Sequence, residues 1–306
     1  MPGFSTVQIP ADKRPPYIGR FAPSPSGPLH FGSLIAAVGS YLQAKSQHGR
    51  WLVRMEDIDT PRVQPHAADA ILSTLERFGL GWDGPVLWQS QRLERYQQVL
   101  AELTQQQLVY GCQCNRRQIQ QAGGLYPGSC AALQLSQPPL AWRLRSQGTS
   151  TQFTDLVFGQ QQIDAAVAAE DYILKRRDGL FAYQLVVVVD DWDQQITEVI
   201  RGADLLSMTP RQQRLFQLLG ATPPRYGHLP LAVSAPGHKL SKQNHASDLS
   251  QWPLSHSLAR ALAVLGQPLP PTLIAAPVNE QLSYALAHWR LAKVPQQLEI
   301  PCSDFA

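Results

Sequence analysis

The chain has little cysteine, no long apolar run and almost no excess of charge, and each shortage removes a class of protein. Four cysteines in 306 residues cannot staple a disulfide scaffold. No apolar run is longer than Leu185–Val189, whereas a membrane helix needs about 20 apolar residues. Residues 1–16 are polar and contain prolines, without the apolar centre of a secretory signal, so a cytoplasmic protein is expected. A net charge of +3 and a pI near 8.7 permit nucleic-acid binding without demanding it. No internal repeat or low-complexity tract is present beyond a mild glutamine bias, which excludes a repeat architecture. What remains is an apolar share of 44%, enough to bury a core in one large domain or two modest ones.

Against that background the segment Arg20-Phe21-Ala22-Pro23-Ser24-Pro25-Ser26-Gly27-Pro28-Leu29-His30-Phe31-Gly32-Ser33 stands out. It lies between an apolar strand, Tyr17–Phe21, and a helix over Ser33–Gln47 with apolar residues at helical spacing. Prolines fix φ and hold the loop rigid, while Gly27 and Gly32 permit tight turns and close approach of a ligand. A helix N-terminus directed at that loop suits phosphate, and His30 at its mouth can donate to a phosphate oxygen. A second strand, Trp51–Met55, runs into Glu56-Asp57-Ile58-Asp59. Strand, loop, helix, strand is the mononucleotide-binding half of a doubly wound parallel sheet, so an α/β fold of Rossmann type is expected.

Further along, Ala67–Phe78 and Leu93–Leu108 read as amphipathic helices. Ala141–Arg145 and Gln152–Phe158 read as strands of a small inserted β region. The main sheet is expected to resume at Asp171–Lys175 and Ile196–Arg201. Between them Tyr183–Val189 fits a buried strand or a buried helix equally. Arg211–Leu219 reads as a helix, Leu229–Val233 as a strand and Gly237–His245 as a polar loop. From Ser250 onward, prolines separate short helices.

Two further groups carry chemistry. Lys239-Leu240-Ser241-Lys242-Gln243 follows the first motif by about two hundred residues. Two lysines flanking a hydroxyl can stabilise the charge that develops on a leaving pyrophosphate. Cys112, Cys114 and Cys130 fall within nineteen residues, a clustering that points to a metal. Three thiolates want a fourth tetrahedral ligand. No histidine lies within forty residues, and Tyr126 and Cys302 are the rival candidates.

The first motif resembles the leading signature of class I aminoacyl-tRNA synthetases, in the glutamyl branch. His30-Phe31-Gly32-Ser33 stands where the family has His-Ile-Gly-His, with serine replacing the second histidine. The lysine loop resembles the family's Lys-Met-Ser-Lys-Ser, with Leu240 and Gln243 as departures. The segments Asp171–Gly179, Tyr183–Asp191, Ile196–Asp204 and Thr209–Gln212 resemble the amino-acid-binding half of the glutamyl enzymes. The resemblance covers roughly residues 17–245. It implies that His30, Gly32, Ser33, Lys239, Ser241 and Lys242 hold ATP, with His30, Lys239 and Lys242 catalytic and magnesium accompanying the nucleotide. It also implies a glutamate site built from Arg20, Phe21, Ala22, Pro23, Ser24, Glu56, Tyr183 and Arg201.

Charge agrees with that assignment. Each arginine can fork a carboxylate, Arg20 being favoured for the side-chain carboxylate, and Glu56 can take the ammonium. Cys-x-Cys, eleven residues, Tyr, three residues, Cys resembles a zinc-binding insertion of this branch, which implies one structural zinc on Cys112, Cys114, Tyr126 and Cys130.

The expected organisation is an N-terminal extension (1–16), the first half of the nucleotide-binding fold (17–109), a zinc-bearing, acceptor-side insertion (110–170), the second half with the lysine loop (171–245) and a short helical region (246–306). About sixty residues after the lysine loop cannot make the helical anticodon reader of the full-length glutamyl enzymes. The chain closely resembles their truncated paralogues, which glutamylate the queuosine base in the anticodon of tRNA(Asp). That implies a monomeric ligase that activates L-glutamate with ATP without tRNA. The alternatives are a short enzyme charging a tRNA 3′ end and a non-catalytic synthetase-like protein that binds nucleic acid.

Overall fold

The computed structural model describes residues 16–239 and 249–302. It begins with β1 (Ile18–Phe21), α1 (Phe31–Ser46) and β2 (Arg50–Met55), the unit expected at the N-terminal end. β1 and β2 pair in parallel, Ile18 against Arg50 through Phe21 against Val53. After α2 (Ala67–Arg77), the short β3 (Leu87–Trp88) joins the far side of β2, also in parallel. Helix α1 is buried along Leu34, Ile35, Val38 and Leu42. Gly39 lets it lie close to the sheet, because a Cβ there would stand 2.5 Å from Leu229 Cδ1.

Next come α3 (Leu93–Gln105), β4 (Val109–Cys112), α4 (Arg116–Gln121), β5 (Ala141–Leu144), β6 (Gln152–Asp155), β7 (Gly159–Gln162), α5 (Ala165–Ala169) and β8 (Tyr172–Lys175). Pairing sorts these strands differently from their reading in the sequence. β4, β5 and β8 form one antiparallel sheet. The segment expected to resume the main sheet at Asp171–Lys175 is therefore the third strand of the insertion. β6, expected inside the insertion, pairs in parallel with a strand of the main sheet. Both are four-residue strands whose buried positions alternate. Alternation marks a face to be covered and carries no information about which sheet supplies the partner.

The remaining elements are α6 (Tyr183–Asp193), β9 (Glu198–Gly202), α7 (Thr209–Leu218), β10 (Arg225–Leu229), β11 (Leu231–Ala235), β12 (His238–Lys239), α8 (Leu254–Val264), α9 (Val278–His288) and β13 (Glu299–Pro301). The ambiguous run at Tyr183 is thus a helix. Leu185–Val189 are all buried, so apolar residues surround its axis and leave no periodicity to read. The expected strand at Leu229–Val233 is split by Pro230 into β10 and β11.

β9, β10 and β6 run parallel. The Thr197 amide donates to Ile18 O at 2.9 Å, which lays the start of β9 beside β1. The composite order β3-β2-β1-β9-β10-β6-β7, with β7 antiparallel at the edge, reverses direction between β1 and β9, and ligands bind doubly wound sheets at the carboxyl ends of strands at such a reversal. One apolar core lies around α1, β2, α2, α8 and α9; a second joins α3, α6 and α7 to the insertion's strands. No helix among the described residues is long and apolar enough to cross a membrane.

Candidate active site

A cleft of about 580 Å³ opens at the carboxyl ends of β1 and β9. Arg20, Phe21, Ala22, Pro23, Ser24, His30, Gly32, Ser33, Glu56, Tyr183 and Arg201 all line it. The end of β1, the loop after it and the first turn of α1 together supply eight of the eleven; Gly27 turns the loop at φ +135°, which side-chain-bearing residues rarely adopt. The side chain of Lys239, together with Ser241 and Lys242, lies outside the described residues.

His30 is the N-cap of α1. Its Nδ1 accepts the Ser33 amide hydrogen at 3.2 Å, and its Nε2 lies 2.9 Å from Ser33 Oγ. A neutral ring that accepts on Nδ1 carries its proton on Nε2 and donates it to the serine hydroxyl. The serine that departs from the family's second histidine therefore orients the first.

Arg20 is buried and gripped by a carboxylate on α6. Its Nε donates to Asp191 Oδ1 at 3.0 Å and its Nη2 to Asp191 Oδ2 at 3.4 Å. The opposite edge, Nη1 with the second Nη2 hydrogen, has no acceptor among the described residues. One bidentate edge is left for a carboxylate.

Asp191 also accepts from Arg54 Nη2 at 2.6 Å. Burial opposes its charge, but Arg20 and Arg54 outweigh burial and hold it below the usual carboxylate range. Behind it, Asp190 accepts from Gln89, Arg92 and Tyr96. Nothing in the sequence alone assigns Asp190 and Asp191 a role; the signal that marks them is an acidic pair directly after the apolar run of a buried helix.

Arg201 differs from Arg20. Its Nε donates to His228 Nε2 at 3.0 Å, Nη1 to Gln212 Oε1 at 2.7 Å, and Nη2 to Leu205 O at 3.2 Å and Thr209 Oγ1 at 3.0 Å. Of five N–H donors, one on Nη1 is left without an acceptor among the described residues. A second carboxylate fork, expected from the sequence, is not available; Arg201 offers a single donor.

Glu56 is buried and its Oε1 has no hydrogen-bond partner among the described residues. Burial pushes its carboxyl up to about 7 despite Arg54 and Arg20. A cationic ligand at this carboxyl would restore the ionised form. Burial likewise raises the Tyr183 phenol, which stays a neutral donor.

Away from the cleft, the Cys112, Cys114 and Cys130 sulfurs all lie within 4.8 Å of one another. Cys114 Sγ and Cys130 Sγ are 3.6 Å apart, close to the roughly 3.8 Å that tetrahedral thiolates about 2.3 Å from one zinc would show. Burial and the neighbouring sulfurs push the Cys114 thiol up to about 12, a penalty that a divalent cation removes. The Tyr126 hydroxyl accepts the Cys130 amide hydrogen at 2.9 Å and packs in the same small cluster. Cys302 belongs to the main core, where its amide donates to Val233 O, and so is not grouped with these thiols. The three cysteines could hold a metal ion, with Tyr126 the nearby oxygen.

Comparison with known proteins places the whole arrangement. The family model of the class I tRNA synthetases (E and Q), catalytic domain, matches residues 18–125 and 132–254; the intervening gap contains Tyr126 and Cys130. The chain is 53% identical to a glutamyl-Q tRNA(Asp) synthetase of Vibrio vulnificus, over 93% of each chain. It is 55% identical to one from Serratia proteamaculans, over 94% of this chain and 95% of the relative. It is 54% identical to one from Escherichia coli K12, over 92% and 91%. The glutamate-tRNA synthetase of Elizabethkingia anophelis shares the fold at 22% identity, with a TM-score of 0.78 over 94% of this chain and 68% of that one. The chain therefore belongs to the class I tRNA synthetases of the E and Q type, in the branch of the glutamyl-Q tRNA(Asp) synthetases, and is a ligase.

Proposed function

We propose that the chain activates L-glutamate with Mg-ATP to glutamyl-adenylate, without tRNA, and transfers the glutamyl group to the queuosine base in the anticodon of tRNA(Asp). The names of relatives matched over nine-tenths of their own length support the acceptor. The observation that carries the amino acid is the charge pattern of the cleft: one open guanidinium edge on Arg20, one donor on Arg201 and an unpartnered buried carboxyl on Glu56. Glutamate presents a side-chain carboxylate for these donors and an ammonium for Glu56, and leaves its α-carboxylate to face ATP. Arg20 takes the side-chain carboxylate, with Tyr183 and Arg201 adding single donors. Glu56 takes the ammonium, helped by Ser24. Glutamine would leave part of the Arg20 edge unpaired, the kind of mismatch on which strong discrimination rests.

In the first step the glutamate α-carboxylate oxygen bonds to the α-phosphorus of ATP, and the bond from that phosphorus to the bridging oxygen breaks. Pyrophosphate leaves with the electron pair. The α1 N-terminus holds phosphate on one side, with His30 turning its Nε2 proton from Ser33 to a phosphate oxygen; the Lys239–Gln243 loop supplies cations on the other, by the sequence resemblance. The apolar wall at Leu205, Met208 and Leu231 suits an adenine ring. In the second step a diol hydroxyl of queuosine attacks the glutamyl carbonyl and AMP leaves. Cys112, Cys114, Cys130 and Tyr126 would hold one zinc ion, whose part is structural: it ties together an insertion that has little apolar core of its own.

Pyrophosphate exchange into ATP tests the activation step. Glutamate should support exchange with no tRNA present, and glutamine should not. Exchange that starts only when tRNA is added would overturn the tRNA-free step, and equal exchange with glutamine would overturn the assignment of the cleft.

A further inference from the structure

Three neighbouring strands of the main sheet carry a buried relay that ends on Arg201. Asp155 closes β6, and its Oδ1 accepts the amide hydrogens of Val157 and Phe158 at 2.9 Å and of His228 at 3.3 Å. Its Oδ2 lies 2.6 Å from Nδ1 of His228 on β10. His228 Nε2 lies 3.0 Å from Arg201 Nε on β9. Asp155 and His228 are buried and lie behind the cleft lining.

The proton positions follow from the chemistry of the end groups. A guanidinium N–H can only donate, so His228 Nε2 must accept. An ionised carboxylate can only accept, so Nδ1 must donate. The ring is neutral, with its proton on Nδ1. A second proton on Nε2 would face the Arg201 Nε–H across 3.0 Å, hydrogen against hydrogen and cation against cation. The charged or titratable groups around the ring are Asp155 from β6, Arg201 from β9, Asp204 from the turn after β9, and Tyr226, two residues earlier on β10 with its ring parallel to the imidazole. Thr209 of α7 adds only a hydroxyl, 3.4 Å from Nε2.

We propose that His228, oriented by Asp155, is a positioning residue that fixes the Arg201 guanidinium so that its one spare N–H meets the substrate carboxylate in the cleft. This rests on the glutamate reading of the cleft. Gln212, Leu205 and Thr209 hold the two Nη nitrogens, and His228 alone holds Nε. Losing the imidazole acceptor leaves the buried Nε–H unpaired and removes one of the four contacts that set the guanidinium's orientation, so the spare N–H is no longer held in line with the cleft.

The test uses the full chain. His228→Phe should raise the KM for glutamate in pyrophosphate exchange roughly tenfold or more, the scale of one unpaired buried donor, with the KM for ATP within about twofold. His228→Gln, whose amide oxygen can accept from Arg201 while its NH₂ donates to Asp155, should recover most of that loss. A rise shared by glutamate and ATP, or no rescue by glutamine, would reduce His228 to a structural role and overturn the proposal. Nitrogen-15 NMR of the wild-type imidazole reads the relay without any activity. Protonated Nδ1 with unprotonated Nε2 at pH 7 is expected; the opposite tautomer or an imidazolium would overturn it. If glutamate supports no exchange while that tautomer is present, the substrate reading has failed and the relay has not.

Discussion

Glu56 must be negative to hold an ammonium, yet burial pushes its carboxyl up to about 7. Binding glutamate therefore releases a proton when the pH is below that value. The KM for glutamate should be flat above pH 7 and rise about tenfold for each unit below it, because only the deprotonated fraction is competent. Exchange kinetics between pH 5.5 and 8.5 measure this directly, and a flat wild-type profile would remove Glu56 from the site. Glu56→Gln should bind glutamate weakly at every pH and lose the slope. Arg20→Lys keeps the charge and loses the planar fork on both edges, toward Asp191 and toward substrate. An increase in the glutamate KM of roughly 10²-fold is expected, with nearly unchanged ATP binding. The first motif was legible in the sequence as chemistry, since no packing need explains that run of prolines and glycines before a histidine, whereas Glu56 took its role only from the family resemblance. The groups behind them were not. Asp191, His228 and Asp155 act by contact with residues far along the chain, and only the fold brings them together.

The insertion shows what a short strand leaves unsaid. β5, β6 and β8 each have four residues, and their patterning announced strands without naming partners. The cysteines were the better guide, because a spacing rule for metal ligands does not depend on sheet register. Helix α6 is the converse case: its apolar run is buried on every side, and packing between α3 and α7 settles its form against a β-branched composition. The small cluster around Tyr110, Cys112, Tyr126 and Cys130 carries the loop from Cys112 to Ala141 with little else beneath it. Cys112→Ser should therefore release the metal and expose that loop to protease, while glutamate activation in the distant cleft persists. Zinc analysis of reduced, purified protein together with limited proteolysis checks this; protein free of zinc with a protected loop would contradict it.

The whole sheet places its ligand groups by one topological fact, the reversal between β1 and β9. Strands from both halves of the chain end at the same cleft, so the residues of the first motif meet Tyr183 and Arg201 of the second half. That meeting was implied by the family resemblance alone, whereas the place of β6 in the main sheet came from its parallel pairing with β10. What the cleft acts on after activation is the central claim, and two substrates decide it. tRNA(Asp) carrying queuosine but trimmed of its terminal adenosine should accept radiolabelled glutamate in the presence of ATP. Full-length tRNA(Asp) lacking queuosine should accept none. Label on the second substrate and none on the first would contradict the account and make the chain an enzyme that charges a tRNA 3′ end.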